Sequence, residues 1–339
     1  MIENVDVGFT KRRGGTFVSN TLLKVSSLKK SFSISNGMFG KKKSLNAVHD
    51  VSFMIPEGKT FSLVGESGCG KSTTGRLISR LIDPSNGEIW IDGEEISTRK
   101  EGQLKTIRKK VQMIFQDPYA SLNPRMKVRD IVGEPLVIHT KLSKSERNKL
   151  VSEMLEVVGL SEYHADRYAH EFSGGQRQRI GIARALIMKP KLIIADEPVS
   201  ALDVSIQSQI LNLLKDLQQE YHLTYLFISH DLSVVEHISD HIGVMYLGTI
   251  VETGPKEVIF SNPQHPYTKA LLSSIPIPDP KLRRERIILQ GDLPSPVNPP
   301  TGCRFHTRCP IATDICKVTE PPVVQCTSSE HFAACHLVK

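Results

Sequence analysis

The eight residues Gly65-Glu66-Ser67-Gly68-Cys69-Gly70-Lys71-Ser72 constrain this chain more than any other segment. They fit G-x-x-x-x-G-K-[ST], between the apolar run FSLV (61–64) and the helix-like run STTGRLISRL (72–81). The glycines let backbone N–H groups curl round phosphate oxygens with no Cβ in the way. Lys71 supplies a positive charge to β/γ-phosphates, and the Ser72 hydroxyl can bind Mg²⁺. The helix that follows points its positive end at the anion. Cys69, inside the loop, reads as a small packing residue and not as a nucleophile.

The rest of the pattern predicts the sheet that carries such a loop. Short β-type runs appear at LLKVSSL (22–28), AVHDVSFMI (47–55) and TFSLVGES (60–67), with a Gly- and Lys-rich loop at 35–43. GEIWIDGEEI (87–96) reads as a hairpin turning at Asp92-Gly93. In 141–160, Leu150, Met154, Leu155, Val158 and Leu160 recur at helical spacing, with Gly159 as a stop. Strand-like runs return at KLIIAD (191–196) and LTYLFISH (223–230), separated by the helical SIQSQILNLLKDLQQE. This alternation implies an α/β fold with a largely parallel sheet.

Two further segments bear on chemistry. LIIADE (192–197) ends a buried-strand pattern in Asp196 and Glu197. Asp196 at the strand tip is expected to orient a Mg²⁺ shell, and Glu197 to take a proton from an attacking water. FSGGQRQR (172–179) opens a second helix with exposed backbone amides, a second anion-binding helix start. One chain hardly needs two cradles for one nucleotide, so the second is expected to serve a nucleotide bound to a partner chain.

Composition narrows the class. Among the 339 residues no run approaches the ~18 apolar residues of a membrane span. The start, MIENVDVGFTKRRGG, has no signal-type apolar core, so the expectation is a chain that stays in the cytosol. Of the net charge of +7, most sits in residues 1–50, which hold nine basic and three acidic side chains. Residues 1–20 read as a loosely structured basic arm; attraction to anionic lipid is the sharper reading and a solvated arm the plainer one. No aromatics interleave with these lysines, so nucleic acid is not the expected partner. Near residue 261 composition shifts: ten of the 20 prolines lie between Pro276 and Pro322, and five of the six cysteines lie beyond residue 302. This tail, 261–339, is expected to be a separate appendage.

Taken together, the motifs resemble the ATP-binding cassette (ABC) family over about residues 22–260. The resemblance implies a P-loop NTPase domain over 21–260, with a RecA-like core, an antiparallel β subdomain and a helical signature subdomain at about 117–180. It implies ATP and Mg²⁺ as ligands. Phe32 matches the aromatic that stacks on adenine, and Gly65 to Ser72 with Thr73 match Walker A. Gln116 matches the Q-loop glutamine, which touches Mg²⁺ and senses the membrane subunits. Ser173, Gly174, Gly175 and Gln176 match the signature that clamps the γ-phosphate from the opposite subunit. Asp196 and Glu197 match Walker B and the general base, Asp203 belongs to the D-loop, and His230 matches the switch histidine. The Mg²⁺ set so implied is Ser72, Gln116 and Asp196.

A finer likeness is to the peptide-permease branch. QDPYASLNPRMKV (116–128) and IVGEPL (131–136) look like the F-type ATPase subunit of oligopeptide and dipeptide importers, and PQHPYTKALL (263–272) and GCRFHTRCP (302–310) resemble its C-terminal extension. The expectation is an ATPase on the cytoplasmic face of the membrane, with two permease subunits, a related D-type ATPase and an extracytoplasmic peptide-binding protein. Nickel and some sugar-oligomer importers share these features. Soluble ABC ATPases acting on DNA or ribosomes fit less well: only 56 residues separate Gln116 from Ser173, leaving no room for long insertions, and the chain has one cassette. Cys303, Cys309, Cys316 and Cys335 are spaced C-x5-C-x6-C-x18-C. From spacing, Zn²⁺, an iron–sulfur cluster and reduced thiols stay open. The resemblance implies a [4Fe–4S] cluster on these four, with Cys326 outside the pattern.

Overall fold

A computed structural model describes residues 21–35, 42–275, 286–326 and 328–338. The basic arm at 1–20 and the centre of the Gly- and Lys-rich loop lie outside the described residues. In chain order, β1 (Thr21–Ser35) and β2 (Lys42–Pro56) precede β3 (Thr60–Val64), α1 (Lys71–Ile78) and the hairpin β4 (Asn86–Ile91) and β5 (Glu94–Glu95). The short α2 (Ile107–Lys110) leads into β6 (Val111–Ile114), followed by α3 (Val128–His139), α4 (Lys144–Val157) and α5 (Gly174–Leu186). Next come β7 (Leu192–Asp196), α6 (Val204–Tyr221), β8 (Thr224–Ser229), α7 (Leu232–Ile238), β9 (His241–Tyr246) and β10 (Thr249–Pro255). After α8 (Lys256–Ser261), the tail adds α9 (Pro266–Ser273), α10 (Asp314–Val318), β11 (Val323–Gln325) and β12 (Phe332–Ala334).

Two sheets result, and their order follows from burial. TFSLV, LIIAD and TYLFIS are buried at every residue. Strands buried on both faces belong in the centre of a parallel sheet covered by helices. The larger sheet runs β11-β12-β10-β9-β3-β8-β7-β6, with β9, β3, β8, β7 and β6 parallel and the β10, β12 and β11 pairings antiparallel. The smaller sheet, β2-β1-β4-β5, is antiparallel. Its inner face (Val25, Leu28, Ile55, Ile89) shares one core with Leu63, Leu77, Ile194 and Ile228. Phe53 stacks on Phe61 across this junction, ring centroids 4.5 Å apart.

Helices α3, α4 and α5 pack together through residues such as Ile131, Leu136, Leu155 and Ile180, in a core that continues to α6 and the far side of β7 and β8. In α4 the start is written locally: Ser143 Oγ accepts from the Glu146 N–H, and Glu146 accepts in return from the Ser143 N–H at 2.7 Å. The left-handed Gly159 (φ 74) stops it. Along its face Val151 is fully buried while Leu150 is only partly so, a one-residue shift from the expected stripe.

The tail departs from expectation. It is not a separate appendage: β12 pairs with β10 (Glu252↔Ala333, Thr253↔Phe332) and completes the main sheet. Phe305 is buried with Tyr246, Tyr267 and Leu272 in a third core, against which Cys303 and Cys309 pack. Proline bars long helices and central strands, yet two three-residue strands at a sheet edge avoid that restriction. The antiparallel edge of β10 offers unpaired N–H and C=O groups that such strands satisfy.

Candidate functional site

The site forms at the carboxyl ends of the parallel strands, where β3, β6, β7 and β8 each deliver a polar segment. The loop Gly65–Ser72 leaves β3 and turns back into α1. Two of its glycines are obligatory. A Cβ at Gly65 (φ 150) would stand 2.1 Å from the Met245 carbonyl oxygen, and one at Gly70 (φ 108) 2.3 Å from that of Ala47. Lys71 is buried, and its ammonium donates to the carbonyls of Gly65 (2.8 Å) and Glu66 (3.1 Å). It therefore lies across the concavity of its own loop. Ser72 Oγ donates to Asp196 Oδ1 at 2.7 Å. Burial pushes the Asp196 carboxyl above its ordinary value, against the opposing effects of the Ser72 hydrogen bond and the Arg76 charge. A hydroxyl and a buried carboxylate so arranged present two hard oxygens of the kind a divalent cation takes.

Glu197 follows Asp196 in a left-handed conformation (φ 46), with its N–H donating to the Ile228 carbonyl at 2.9 Å. Its Oε2 accepts from Gln116 Nε2 at 2.9 Å and lies 3.0 Å from His230 Nδ1. Residues from the ends of β6, β7 and β8 thus converge on one carboxylate oxygen. A cleft of about 670 Å³ opens beside them, lined by Lys71, Ser72, Thr73, Gln116, Glu197 and His230. Phe32 also lines it, half-exposed, with the Lys30 ammonium 5.1 Å from its ring centroid. That volume suits a nucleotide-sized ligand. Ser67 and Gly68 line the cleft as well, while Cys69 faces inward and is buried. Burial raises the Cys69 thiol pKa, though the Lys71 charge opposes it, so the neutral thiol is the resident form.

The structure leaves the other helix start outside this cleft. Ser173 caps α5 by accepting from the Gln176 N–H, and Gln176 Oε1 accepts from the Ser173 N–H at 3.1 Å. Gly174 and Gly175 lie against Leu202 and Ile206; a Cβ on Gly175 would come 2.5 Å from Ile206 Cγ2. Asp203 caps α6, accepting from the Ile206 N–H at 3.0 Å and from Ser205 Oγ at 2.9 Å. None of Ser173, Gly174, Gly175, Gln176 or Asp203 lines the cleft.

Sequence reasoning missed the tail's share of the site. Tyr267 Oη accepts from the Glu66 N–H at 2.9 Å, Arg308 donates to the Glu66 carboxylate at 2.8 Å, and Leu271 and Pro296 line the cleft. Tyr267 and Leu271 belong to PQHPYTKALL and Arg308 to GCRFHTRCP, so the segments were visible while their destination was not. The thiols of Cys303, Cys309, Cys316 and Cys335 lie near enough to act on one another electrostatically. Burial, with those neighbours, pushes Cys303 up to about 11. Cys326, whose thiol donates to the Val324 carbonyl at 3.7 Å, also lies near enough to Cys335 to act on it. Among the described residues, however, no group of three or more His, Cys, Asp or Glu is arranged to hold a metal ion, which gives the expected [4Fe–4S] cluster no structural support.

Comparison with known proteins agrees with this geometry. The ABC transporter family model matches residues 48–200, and that of the oligopeptide/dipeptide transporter C-terminal region matches 251–316. The oligopeptide transport ATP-binding protein AppF of Bacillus subtilis (strain 168) is 56% identical over 321 residues, covering 94% of this chain and 97% of its own. The chain belongs to the ABC transporter family. The cassette is accordingly an ATP-binding ATPase. The dipeptide transport ATP-binding protein DppF of Haemophilus influenzae (strain ATCC 51907 / DSM 11121 / KW20 / Rd) is 54% identical over 93% of this chain and 97% of its own. Among solved structures, the dimeric post-hydrolysis ATP-binding cassette MJ0796 bound to ADP and Pi superposes with a TM-score of 0.63 at 31% identity. It covers 69% of this chain and 99% of that one. Among the described residues of the cassette no helix is long and apolar enough to cross a membrane.

Proposed function

We propose that this cassette is the ATP-hydrolysing subunit that energises a membrane importer of peptides, working from the cytoplasmic face. The observation that carries the reading is the convergence of Gln116 and His230 on Glu197, beside Lys71, Ser72 and Asp196. The similarity to oligopeptide and dipeptide transport proteins supports peptides as cargo.

In this reading the loop from Gly65 to Ser72, with Thr73, wraps the phosphates, Lys71 offsets their charge, and Phe32 stacks on the base. Ser72, Gln116 and Asp196 would hold Mg²⁺, which when bound would neutralise phosphate charge. Glu197 takes the proton of a water as that water's oxygen bonds to the γ-phosphorus. The bridging bond to the β-phosphate breaks and its electrons leave on ADP. His230 orients the γ-phosphate. Ser173, Gly174, Gly175 and Gln176 close over the nucleotide of a second cassette, with Asp203 in the loop that meets it. That they lie outside their own chain's cleft supports this assignment. The domains are taken as 21–260, with the helical subdomain at about 117–180, and the extension 261–339. The partners are two permease subunits, a D-type ATPase and an extracytoplasmic peptide-binding protein.

The [4Fe–4S] reading of Cys303, Cys309, Cys316 and Cys335 rests on family resemblance alone. Iron and sulfide analysis after anaerobic purification tests it; zinc-loaded, iron-free protein overturns it. The function is tested by tagging Glu197→Gln, extracting it from native membranes in mild detergent with ATP, and identifying what copurifies. Two multi-span permeases and a second ATPase are expected. Ribosomal or DNA-repair proteins with no membrane subunit would overturn the assignment.

A further inference from the structure

Glu66 places a carboxylate in the phosphate cradle, beside the position of a polyanion. The structure engages each of its polar groups. Its carbonyl accepts from Lys71, its N–H donates to Tyr267 Oη, and its carboxylate accepts from the Arg308 guanidinium at 2.8 Å. Arg308 comes from the cysteine-bearing tail, 242 residues away, and stands between Cys303 and Cys309. Its side chain is 10% exposed and that of Glu66 28%. The guanidinium carbon lies 6.0 Å from the Tyr246 ring centroid. Tyr246 in turn packs edge-on against Tyr267 and Phe305, with centroids 4.8 and 5.2 Å away. A rigid aromatic post therefore fixes Arg308 against the loop.

We propose that Arg308 is a positioning residue of the phosphate loop: it neutralises and anchors Glu66, so that the tail sets how tightly the cleft takes a nucleoside triphosphate. The inference rests on the reading of Gly65–Ser72 as the ATP cradle. Arg308 acts through Glu66. Without it, a weakly screened negative charge stands beside the phosphates and repels them. A residue that only packed the tail would have no such dependence on the charge of Glu66.

The test is an equilibrium titration of the full-length chain with a fluorescent ATP analogue and Mg²⁺. Arg308→Met is expected to weaken binding on the order of tenfold, less at high salt, because ions screen a partly exposed charge. Arg308→Lys restores part of the loss. The pair Glu66→Gln and Arg308→Met together returns binding to within about threefold of the wild type, since the repelling charge is gone. Glu66→Gln alone, which leaves the tail's core intact, tightens binding about threefold. Wild-type affinity in Arg308→Met overturns the inference. So does a double variant as weak as Arg308→Met, or weaker binding in Glu66→Gln. Wild-type protein that takes no nucleotide would overturn the cradle reading itself, and the inference with it.

Discussion

The union of the tail with the cassette turns on one buried knot, and it can be untied by a single substitution. Glu252 in β10 and His331 just before β12 are both fully buried, with His331 Nε2 2.8 Å from Glu252 Oε1. The same carboxylate accepts from the backbone N–H groups of Gln264 at 2.7 Å and His265 at 2.9 Å, at the entry to α9. Glu252→Ala deprives two buried donors and one part-buried donor of this acceptor at once. At about 1–3 kcal/mol per buried group, and with some relaxation, the cost is about 3–5 kcal/mol. Because the chain exceeds the size at which unfolding is reliably two-state, the local readout is hydrogen exchange of the amides in 332–334. These are expected to exchange at least about a hundredfold faster, since each 1.4 kcal/mol is tenfold. The amides of β3, three strands away in the sheet, are expected to keep their protection. Glu252→Gln keeps the volume and one acceptor oxygen and is expected to fall between. A change below about fivefold in Glu252→Ala would refute the knot as the anchor. The pH dependence has a definite sign. Burial alone would raise the Glu252 carboxyl, but the bonds from His331 and the two backbone groups outweigh it and hold it below 4.5. A carboxylate depressed on folding contributes stability above its unfolded value, and loses it as pH falls through the folded one. The advantage of wild type over Glu252→Gln is therefore expected to persist at neutral pH and to be lost only as pH falls below 4.5.

Three further outcomes follow from the site. Glu197→Gln is expected to bind ATP yet lose turnover by at least about a hundredfold in a phosphate-release assay, and near-normal hydrolysis would contradict the proton-acceptor role. Gly70→Ala forces a Cβ to 2.3 Å from the Ala47 carbonyl, in a left-handed conformation, so nucleotide titration is expected to show loss of binding; unchanged affinity would refute the packing argument. Asp196→Asn removes the carboxylate that faces the Ser72 hydroxyl, so the gain in ATP affinity on adding Mg²⁺ at constant pH is expected to fall by about tenfold or more. Affinity without Mg²⁺ is not expected to fall. An unchanged Mg²⁺ dependence in Asp196→Asn would remove Asp196 from the cation site.

What the sequence by itself determined was local. The cradle is legible because its glycines, Lys71 and Ser72 are contiguous and act through backbone geometry that eight residues suffice to set. TFSLV, LIIAD and TYLFIS announce themselves as strands, and Ser173-Gly174-Gly175-Gln176 announces a helix start. Roles for Gln116 and His230 came only through family resemblance; nothing in their own segments points to Glu197. Only the tertiary structure brought them to it, across 81 and 33 residues, because that meeting depends on β8 lying beside β7 and β7 beside β6. Strand order leaves no periodic trace in a chain. The tail shows the same limit more strongly. Proline content and cysteine spacing read as a detached segment, whereas Arg308 reaches Glu66 and Ala333 pairs with Glu252. Those contacts were settled by a free strand edge and an apolar face that had to be covered, neither of which exists until the sheet has formed.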